Sequence, residues 1–426
     1  MWTWRGYAGL KSAYPRKARC SMTGRRCGQA GSTWSVGLEG ICGTLIKKGK
    51  NMNKKTVVIF FGGCSSEYSV SLESAAGVIR NLDREQYTPL PVGITRQGDW
   101  YHYIGPEDRI ASDTWHQDMS HCTPAALSPC RSAHQLLVYG ENSVKKMPLD
   151  VALPVLHGRN GEDGTLQGLI ELAGIPLAGC GTLASALCMD KDRAHRLASL
   201  AGIRTPKALV LDAPLEKEDA PAWEMVRTFA LQTGFPLYVK PVKAGSSYGV
   251  TRVISPDGLE AAIELAFTYD NQVILEENIP GFEVGCAVLG SRDLFIGEVD
   301  EIELSGGFFD YTEKYTLKTS SIHVPARIPV HKADQIKLAA KKVYRALGCS
   351  GFARVDLFLT PEGEIVFNEV NTIPGFTEHS RYPGMMKAAG LSFTEVLNRI
   401  LSQALAGDAS PCPSREREGE TGCRIL

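Results

Sequence analysis

The 426-residue sequence contains no uninterrupted apolar run of about 18 residues, the length a membrane-spanning helix requires. Net charge is almost absent. The 46 Lys and Arg against 47 Asp and Glu leave −1 at pH 7, so no global basic field draws nucleic acid or an anionic membrane. The sequence also lacks a C-x-x-C pair, any zinc-ligand spacing and any internal repeat. Of the 12 cysteines, Cys20, Cys27 and Cys42 lie near the start and Cys412 and Cys423 near the end. The others are scattered singly, mostly among apolar or small residues, as buried thiols are in a reducing compartment. What is present is ordinary globular material: 43% apolar and 22% charged residues are enough for sizeable cores. The length suggests two or three domains at about 150 residues each. A cytoplasmic, multidomain protein is expected.

Charge is uneven at the start. Residues 1–51 carry ten Lys or Arg against the single acid Glu39, with no sustained helical or strand period. An Arg-rich, acid-poor segment is compatible with a targeting peptide, but the apolar centre of a secretory signal is missing. The expectation is a disordered or non-native extension. Lys47-Lys48-Gly49-Lys50-Asn51 can be encoded by a purine-rich stretch resembling a ribosome-binding site, which makes Met52 the expected start. Residues 408–426 are polar and are expected to be a disordered tail.

Between these ends the pattern is βα. Thr56–Phe61 and Val151–Leu156 read as buried strands, each followed by a Gly-containing loop, with a helix after Ser71 running to about Leu82. This alternation predicts a parallel α/β sheet with functional loops at strand ends. A helix from about Thr182 to Ala201, ended by Gly202 and Pro206, opens the second part. Strands are expected at 236–241, 273–277, 283–289, 293–301, 351–359 and 364–370, with a long polar loop at 305–321.

Two groups of residues carry chemistry. In Lys240-Pro241-Val242-Lys243-Ala244-Gly245-Ser246-Ser247-Tyr248-Gly249 a strand-end lysine precedes a loop of small residues. Such a loop lets backbone N–H groups close over phosphate oxygens, although its glycines would equally serve a hairpin turn. Arg354-Val355-Asp356 and Asn368-Glu369-Val370-Asn371 lie on successive strands. Residues two apart share a face, so paired strands would gather two carboxylates and an amide oxygen around a hard cation. A solvated charged face is disfavoured, because the neighbours Phe352, Val355, Val366 and Phe367 are apolar.

The order and wording of these blocks resemble the ATP-grasp enzymes, and among them the D-alanine–D-alanine ligase family. The resemblance runs from about Met52 to Leu405. It is carried by Gly62–Ser71, by Leu156-His157-Gly158-Arg159-Asn160-Gly161-Glu162-Asp163-Gly164, and by Cys188-Met189-Asp190-Lys191. It continues through Phe309–Tyr315 and Asn368–Thr377. It implies an α/β chain with an ATP-grasp fold behind a parallel α/β N-terminal domain. The expected division is 52–180 for substrate, 181–277 for the central ATP-grasp subdomain and 278–407 for the C-terminal subdomain with the metal site.

The resemblance further implies two steps: ATP phosphorylates the carboxylate of one D-alanine, and the amine of a second D-amino acid attacks the acyl phosphate. Lys191 and Lys240 resemble the phosphate lysines, with Ser246, Ser247, Glu276, Glu277, Ile279 and Glu283 completing the ATP site. Some relatives have lysine at the position of Glu277, which leaves the adenine contacts open. Asp356, Glu369 and Asn371 resemble the ligands of two Mg²⁺ or Mn²⁺ ions. Arg354 and the N–H of Gly375 look placed to stabilise the transferred phosphoryl group and an oxyanion. Glu67 resembles the anchor for the first substrate's ammonium, with His157 near the reacting centre. Ser246 and Tyr315, with Lys314 beside it, resemble a lid closing on Glu67, and Ser380 the seat of the second carboxylate. A homodimer is expected, as the family often dimerises.

The wording around Phe308–Lys318 and Glu378–Pro383 is similar to VanG-type D-alanine–D-serine ligases, linked to reduced vancomycin susceptibility. Tyr315 argues against the D-lactate branch, which carries histidine there. D-Ala–D-Ala remains the alternative product, since serine and alanine differ by one hydroxyl. A non-catalytic ATP-binding relative is the reading from another class, and the intact lysines and carboxylates speak against it.

Overall fold

Thr56–Phe61, a run of β-branched and aromatic side chains, forms the buried centre of β1 (Lys55–Gly62) in a computed structural model that describes residues 54–214, 219–245, 247–304 and 320–407. The expected extension 1–51 and tail 408–426 lie outside the described residues, as does 305–319 of the expected loop. Six more strands join β1: β2 (Tyr87–Ile94), β3 (Trp100–Tyr103), β4 (Cys122–Leu127), β5 (Gln135–Gly140), β6 (Ser143–Pro148) and β7 (Val151–Pro154). Their order is β6-β5-β4-β3-β2-β1-β7. The expected parallel pairing holds for β2-β1-β7. Beyond β2 the sheet continues antiparallel to β6, built from a stretch whose polar edge-strand sequence carries little period-2 signal. The parallel centre is what matters for function, because its strand ends feed the loops 62–67 and 155–164. Helix α1 (Tyr68–Asn81) packs on β1 and starts one turn earlier than the sequence suggests, with Glu67 at its N-cap position.

The helix expected over Thr182–Ala201 is two helices. After α2 (Glu107–Ala111) and α3 (Thr165–Leu172) come α4 (Thr182–Met189) and α5 (Lys191–Leu200), broken at Asp190. Asp190 is extended (φ −90°, ψ 102°), and its carboxylate accepts from the Arg193 N–H at 3.0 Å and from the Arg193 guanidinium at 2.6 Å. Aspartate competes with helix continuation by capping, which the apolar period on either side conceals. The break puts Lys191 at the first position of α5, where its own N–H donates to Val242 O at 3.2 Å.

A four-stranded sheet in the order β10-β9-β11-β8 follows, from β8 (Ala208–Leu211), β9 (Leu237–Pro241), β10 (Thr251–Val253) and β11 (Val273–Glu277). Helices α6 (Ala220–Thr233) and α7 (Leu259–Phe267) cover it, and Val226, Ala230, Ile263 and Ala266 meet the sheet in one core. The last sheet, β14-β13-β12-β15-β16, is antiparallel throughout. It comprises β12 (Phe282–Leu289), β13 (Phe295–Leu304), β14 (Ser320–His323), β15 (Phe352–Leu359) and β16 (Ile365–Asn371). Helix α8 (Val330–Ala346) packs on this sheet with α4 and α5, while α9 (Arg381–Ala388) packs against β12 and β13. The final helix α10 (Phe393–Ala406) opens with a Ser392–Glu395 capping box and shares a core with α1, β1 and β7.

Asp190→Ala is expected to lower stability by about 1–2 kcal/mol through loss of the cap, with Asp190→Asn retaining most of it. Urea unfolding of the two variants side by side checks this; equal stability of wild type and alanine variant would contradict the capping account.

Candidate active site

The antiparallel register of the last sheet aligns a row of charge. Asp300 on β13 faces Gly285 on β12, Gly285 faces Asp356 on β15, and Asp356 faces Glu369 on β16. Directly opposed residues share a face, so three carboxylates stand in line with a gap at the glycine. The gap is filled by Arg381 from α9. A Cβ on Gly285 would lie 2.4 Å from Arg381 Nη2, so the guanidinium sits where a side chain would otherwise be. Arg381 donates to Asp300 (2.7 and 2.8 Å) and to Glu283 (2.6 Å), and its Nη2 lies 3.5 Å from Asp356. Arg354, two residues before Asp356 on the same face, holds Asp356 through both nitrogens at 2.8 and 2.7 Å. Asn371, opposite Arg354, donates its amide to Asp356 at 2.8 Å. Asp300 and Asp356 are 0% and 1% exposed. Burial pulls the pKa of Arg354 and of Arg381 down, and the carboxylates beside them reverse this, leaving both above the ordinary arginine value.

Asp356, Glu369 and Asn371 thus stand together at the end of the β15–β16 pair, as the spacing suggested. An all-oxygen set of two carboxylates and an amide suits a hard divalent cation. Among the described residues, no three His, Cys, Asp or Glu are arranged as a metal cage. Two carboxylates and an amide leave coordination positions that phosphate oxygens would fill around an ion such as Mg²⁺.

Across from this sheet, Lys240 on β9 forms an ion pair with Glu276 on β11 at 2.6 Å, the two strands being adjacent. Burial pushes Glu276 toward neutrality, but Lys240 and His195 outweigh it and its pKa is lowered. Burial likewise opposes the Lys240 charge, and Glu276 raises its pKa overall. Glu276 Oε1 and His195 Nδ1, 3.7 Å apart and buried, hydrogen-bond to nothing among the described residues. Lys191 donates to Ala244 O at 2.7 Å, which brings it under the glycine-rich segment. Ser247 in that segment has a positive φ of 59°, unusual for a residue with a side chain. Glu277 accepts from the Lys207 N–H at 3.0 Å, and Glu283 is engaged by Arg381. Ile279, just beyond β11, is half-buried.

The third element is the start of α1. Glu67 is buried and lies between two glycines: a Cβ on Gly158 would fall 2.4 Å from its Oε2, and one on Gly245 2.6 Å. The glycine-rich segment after β9 therefore touches the carboxylate at the first loop. His157 is buried beside it, its Nε2 3.1 Å from Ser74 Oγ. Gly375 closes the site: its N–H donates to no group among the described residues, and its Cα faces Ser380 Oγ. Ser380 accepts from the Thr377 N–H at 3.0 Å. Ser246, Lys314 and Tyr315 lie outside the described residues.

Sequence reasoning missed Arg381, Asp300, Ser74 and Glu162. Arg381 stood inside the Glu378–Pro383 wording and Asp300 in an ordinary strand, and only the tertiary packing of α9 on β12 and β13 brings them together. Glu162 stood inside the Leu156–Gly164 block and Ser74 just beyond the Gly62–Ser71 block, with no reason to single either out.

Residues 56–180 match the family described as D-ala D-ala ligase N-terminus, and 197–402 match D-ala D-ala ligase C-terminus. A putative D-alanine–D-lactate ligase from Streptomyces coelicolor is 46% identical, over 84% of this chain and 99% of its own length. A D-alanine–D-alanine ligase from Caldicellulosiruptor bescii is 39% identical, over 83% and 96% respectively. The crystal structure of the VanG D-Ala:D-Ser ligase from Enterococcus faecalis is similar with a TM-score of 0.75 and 53% identity. That match covers 82% of this chain and 99% of that one.

The Lys240–Glu276 pair gives a pH-dependent prediction. Glu276, lowered from 4.5, contributes stability that is complete above that value and is lost as pH falls through its depressed pKa. Lys240, raised from 10.5, contributes stability that is lost only as pH rises through its higher pKa. Glu276→Gln is expected to cost about 3–5 kcal/mol near neutral pH by stranding a buried ammonium. The deficit against wild type should narrow as pH drops well below 4.5. Urea unfolding of both proteins at about pH 7 and about pH 3 checks it, and a pH-independent deficit would contradict it.

Proposed function

Because this chain belongs to the D-alanine–D-alanine ligase family of ATP-dependent ligases, we propose that it joins D-alanine to D-serine. The product would end a peptidoglycan precursor that vancomycin binds less well. Identity of 53% to a D-Ala:D-Ser ligase supports this second substrate, against 46% and 39% for relatives named for D-lactate and D-alanine. The row Asp300–Gly285–Asp356–Glu369, with Arg354 and Arg381 over it, carries the ligase chemistry. The reading sets the reaction in the cytoplasm, where ATP is available.

In the first step a carboxylate oxygen of D-alanine attacks the γ-phosphorus of ATP, the bond to the bridging oxygen breaks, and ADP leaves. In the second, the free amine of D-serine attacks the acyl carbon. Collapse of the tetrahedral adduct expels phosphate, and the surplus proton of the nitrogen passes to water. Glu67, a buried carboxylate at a loop, suits the ammonium of D-alanine, with His157 beside it. Lys191 and Lys240 supply point charges for the phosphates. Glu276 Oε1, left without a donor, is an acceptor for the adenine amine. Arg354 and the uncommitted N–H of Gly375 stabilise charge that grows on the phosphoryl group and on the acyl oxygen. Ser380 receives the carboxylate of D-serine. Asp356, Glu369 and Asn371 would hold Mg²⁺, which when bound neutralises the phosphate charge. The resemblance gives Ser246, Lys314 and Tyr315, which lie outside the described residues, the role of a lid that would keep water from the acyl phosphate.

A competition assay tests the reading: purified protein with ATP, Mg²⁺, D-alanine, D-serine and D-lactate together, the products separated and quantified. D-Ala–D-Ser is expected to dominate, and chelation of Mg²⁺ to stop both ATP consumption and dipeptide formation. Mostly D-Ala–D-Ala would mark a housekeeping wall enzyme, and mostly D-Ala–D-lactate would overturn the second-substrate assignment. ATP binding with no phosphate release would overturn ligase activity altogether.

A further inference from the structure

The loop that leaves β16 carries its backbone N–H groups in a telling order. Ile373 N–H donates to Glu162 Oε1 at 3.1 Å, Pro374 has none, Gly375 N–H is uncommitted among the described residues, and Phe376 N–H donates to Ser74 Oγ at 3.1 Å. Both acceptors come from the N-terminal sheet's side of the protein: Ser74 from α1 and Glu162 from the loop after β7. Each also grips the substrate side of that loop. Glu162 Oε2 accepts from the Gly158 N–H at 2.9 Å, and Ser74 Oγ lies 3.1 Å from His157 Nε2. Ser74 is fully buried and Glu162 half-buried.

We propose that Ser74 and Glu162 are positioning residues that suspend the 373–376 loop at two points and thereby aim the Gly375 N–H at the developing oxyanion. The proposal rests on the ligase reading above and deepens it. Two bonds flank the Gly375 N–H, so its direction is fixed by groups 302 and 211 residues away in sequence. The same two side chains hold Gly158 and His157, so the first substrate's loop and the oxyanion donor share one frame. An oxyanion donor acts only when preorganised, and a displacement of about 1 Å costs up to about a hundredfold in rate.

The test uses Glu162→Gln, Ser74→Ala and the double variant in the full chain, with kcat for dipeptide formation, KM for ATP and Tm measured on each. Each single variant is expected to lose about tenfold or more in kcat, with KM for ATP within about twofold of wild type. Because both bonds hold one loop, the double variant should lose less than the product of the single losses. Single variants within twofold of wild type in kcat would overturn the proposal, as would losses that follow Tm and multiply independently. Should Ser74→Ala fail to fold, the isosteric Glu162→Gln decides by the same kcat and KM criterion. Failure of the wild type itself to form a dipeptide from ATP and D-amino acids would instead overturn the ligase reading.

Discussion

Arg381 reaching from α9 across Gly285 is the interaction on which the catalytic sheet depends. It lies against Asp300 and Glu283 and within 3.5 Å of Asp356, while Arg354 takes Asp356 from the other side. Isolated carboxylates at such depth would be driven neutral or would cost several kcal/mol each. Two guanidiniums supply the matching charge and hydrogen bonds. Gly285 is the geometric condition for this arrangement. A methyl group there would occupy the space of the guanidinium and of Asp300 Oδ1, at 2.4 and 2.5 Å.

Around this sheet the site is assembled from loops whose elements are far apart in sequence. The Asp190 cap ends α4 and starts α5 at Lys191; the Lys240–Glu276 pair stiffens β9 against β11; Glu67 is enclosed by Gly158 and Gly245. One core runs from β1 and α1 through Phe352, Phe376 and Tyr382 to α10, with ring centroids 5.2–5.9 Å apart among the three aromatics. Phe376 is thus fixed by ring packing on its side chain and by Ser74 on its N–H, which ties the loop bearing Gly375 to α1.

Much of this was legible in the sequence, for identifiable reasons. Strands 352–359 and 365–371 set polar residues two apart (Arg354 and Asp356, Glu369 and Asn371) among apolar ones, so their shared face could be read directly. Register could not: that Asp356 faces Glu369, and that Gly285 stands between Asp356 and Asp300, follows from long-range pairing that local pattern does not encode. The long helix over 182–201 hid a break because Asp190 is one polar residue in an otherwise helical period. The antiparallel strands β4–β6 were missed because the edge strand Ser143–Pro148 is mostly exposed and carries two lysines, which blurs the period of the hairpin. Glu277 and Glu283, which the resemblance assigns to the nucleotide site, have carboxylates that accept from Lys207 N–H and Arg381.

We propose that ATP activates the carboxylate of D-alanine as an acyl phosphate in this site. It is tested most directly with D-alanine carrying oxygen-18 in its carboxylate, supplied with ATP, Mg²⁺ and D-serine. An acyl phosphate transfers a carboxylate oxygen to the released phosphate, so labelled phosphate should accumulate in step with dipeptide. Dipeptide formed with unlabelled phosphate would contradict the account.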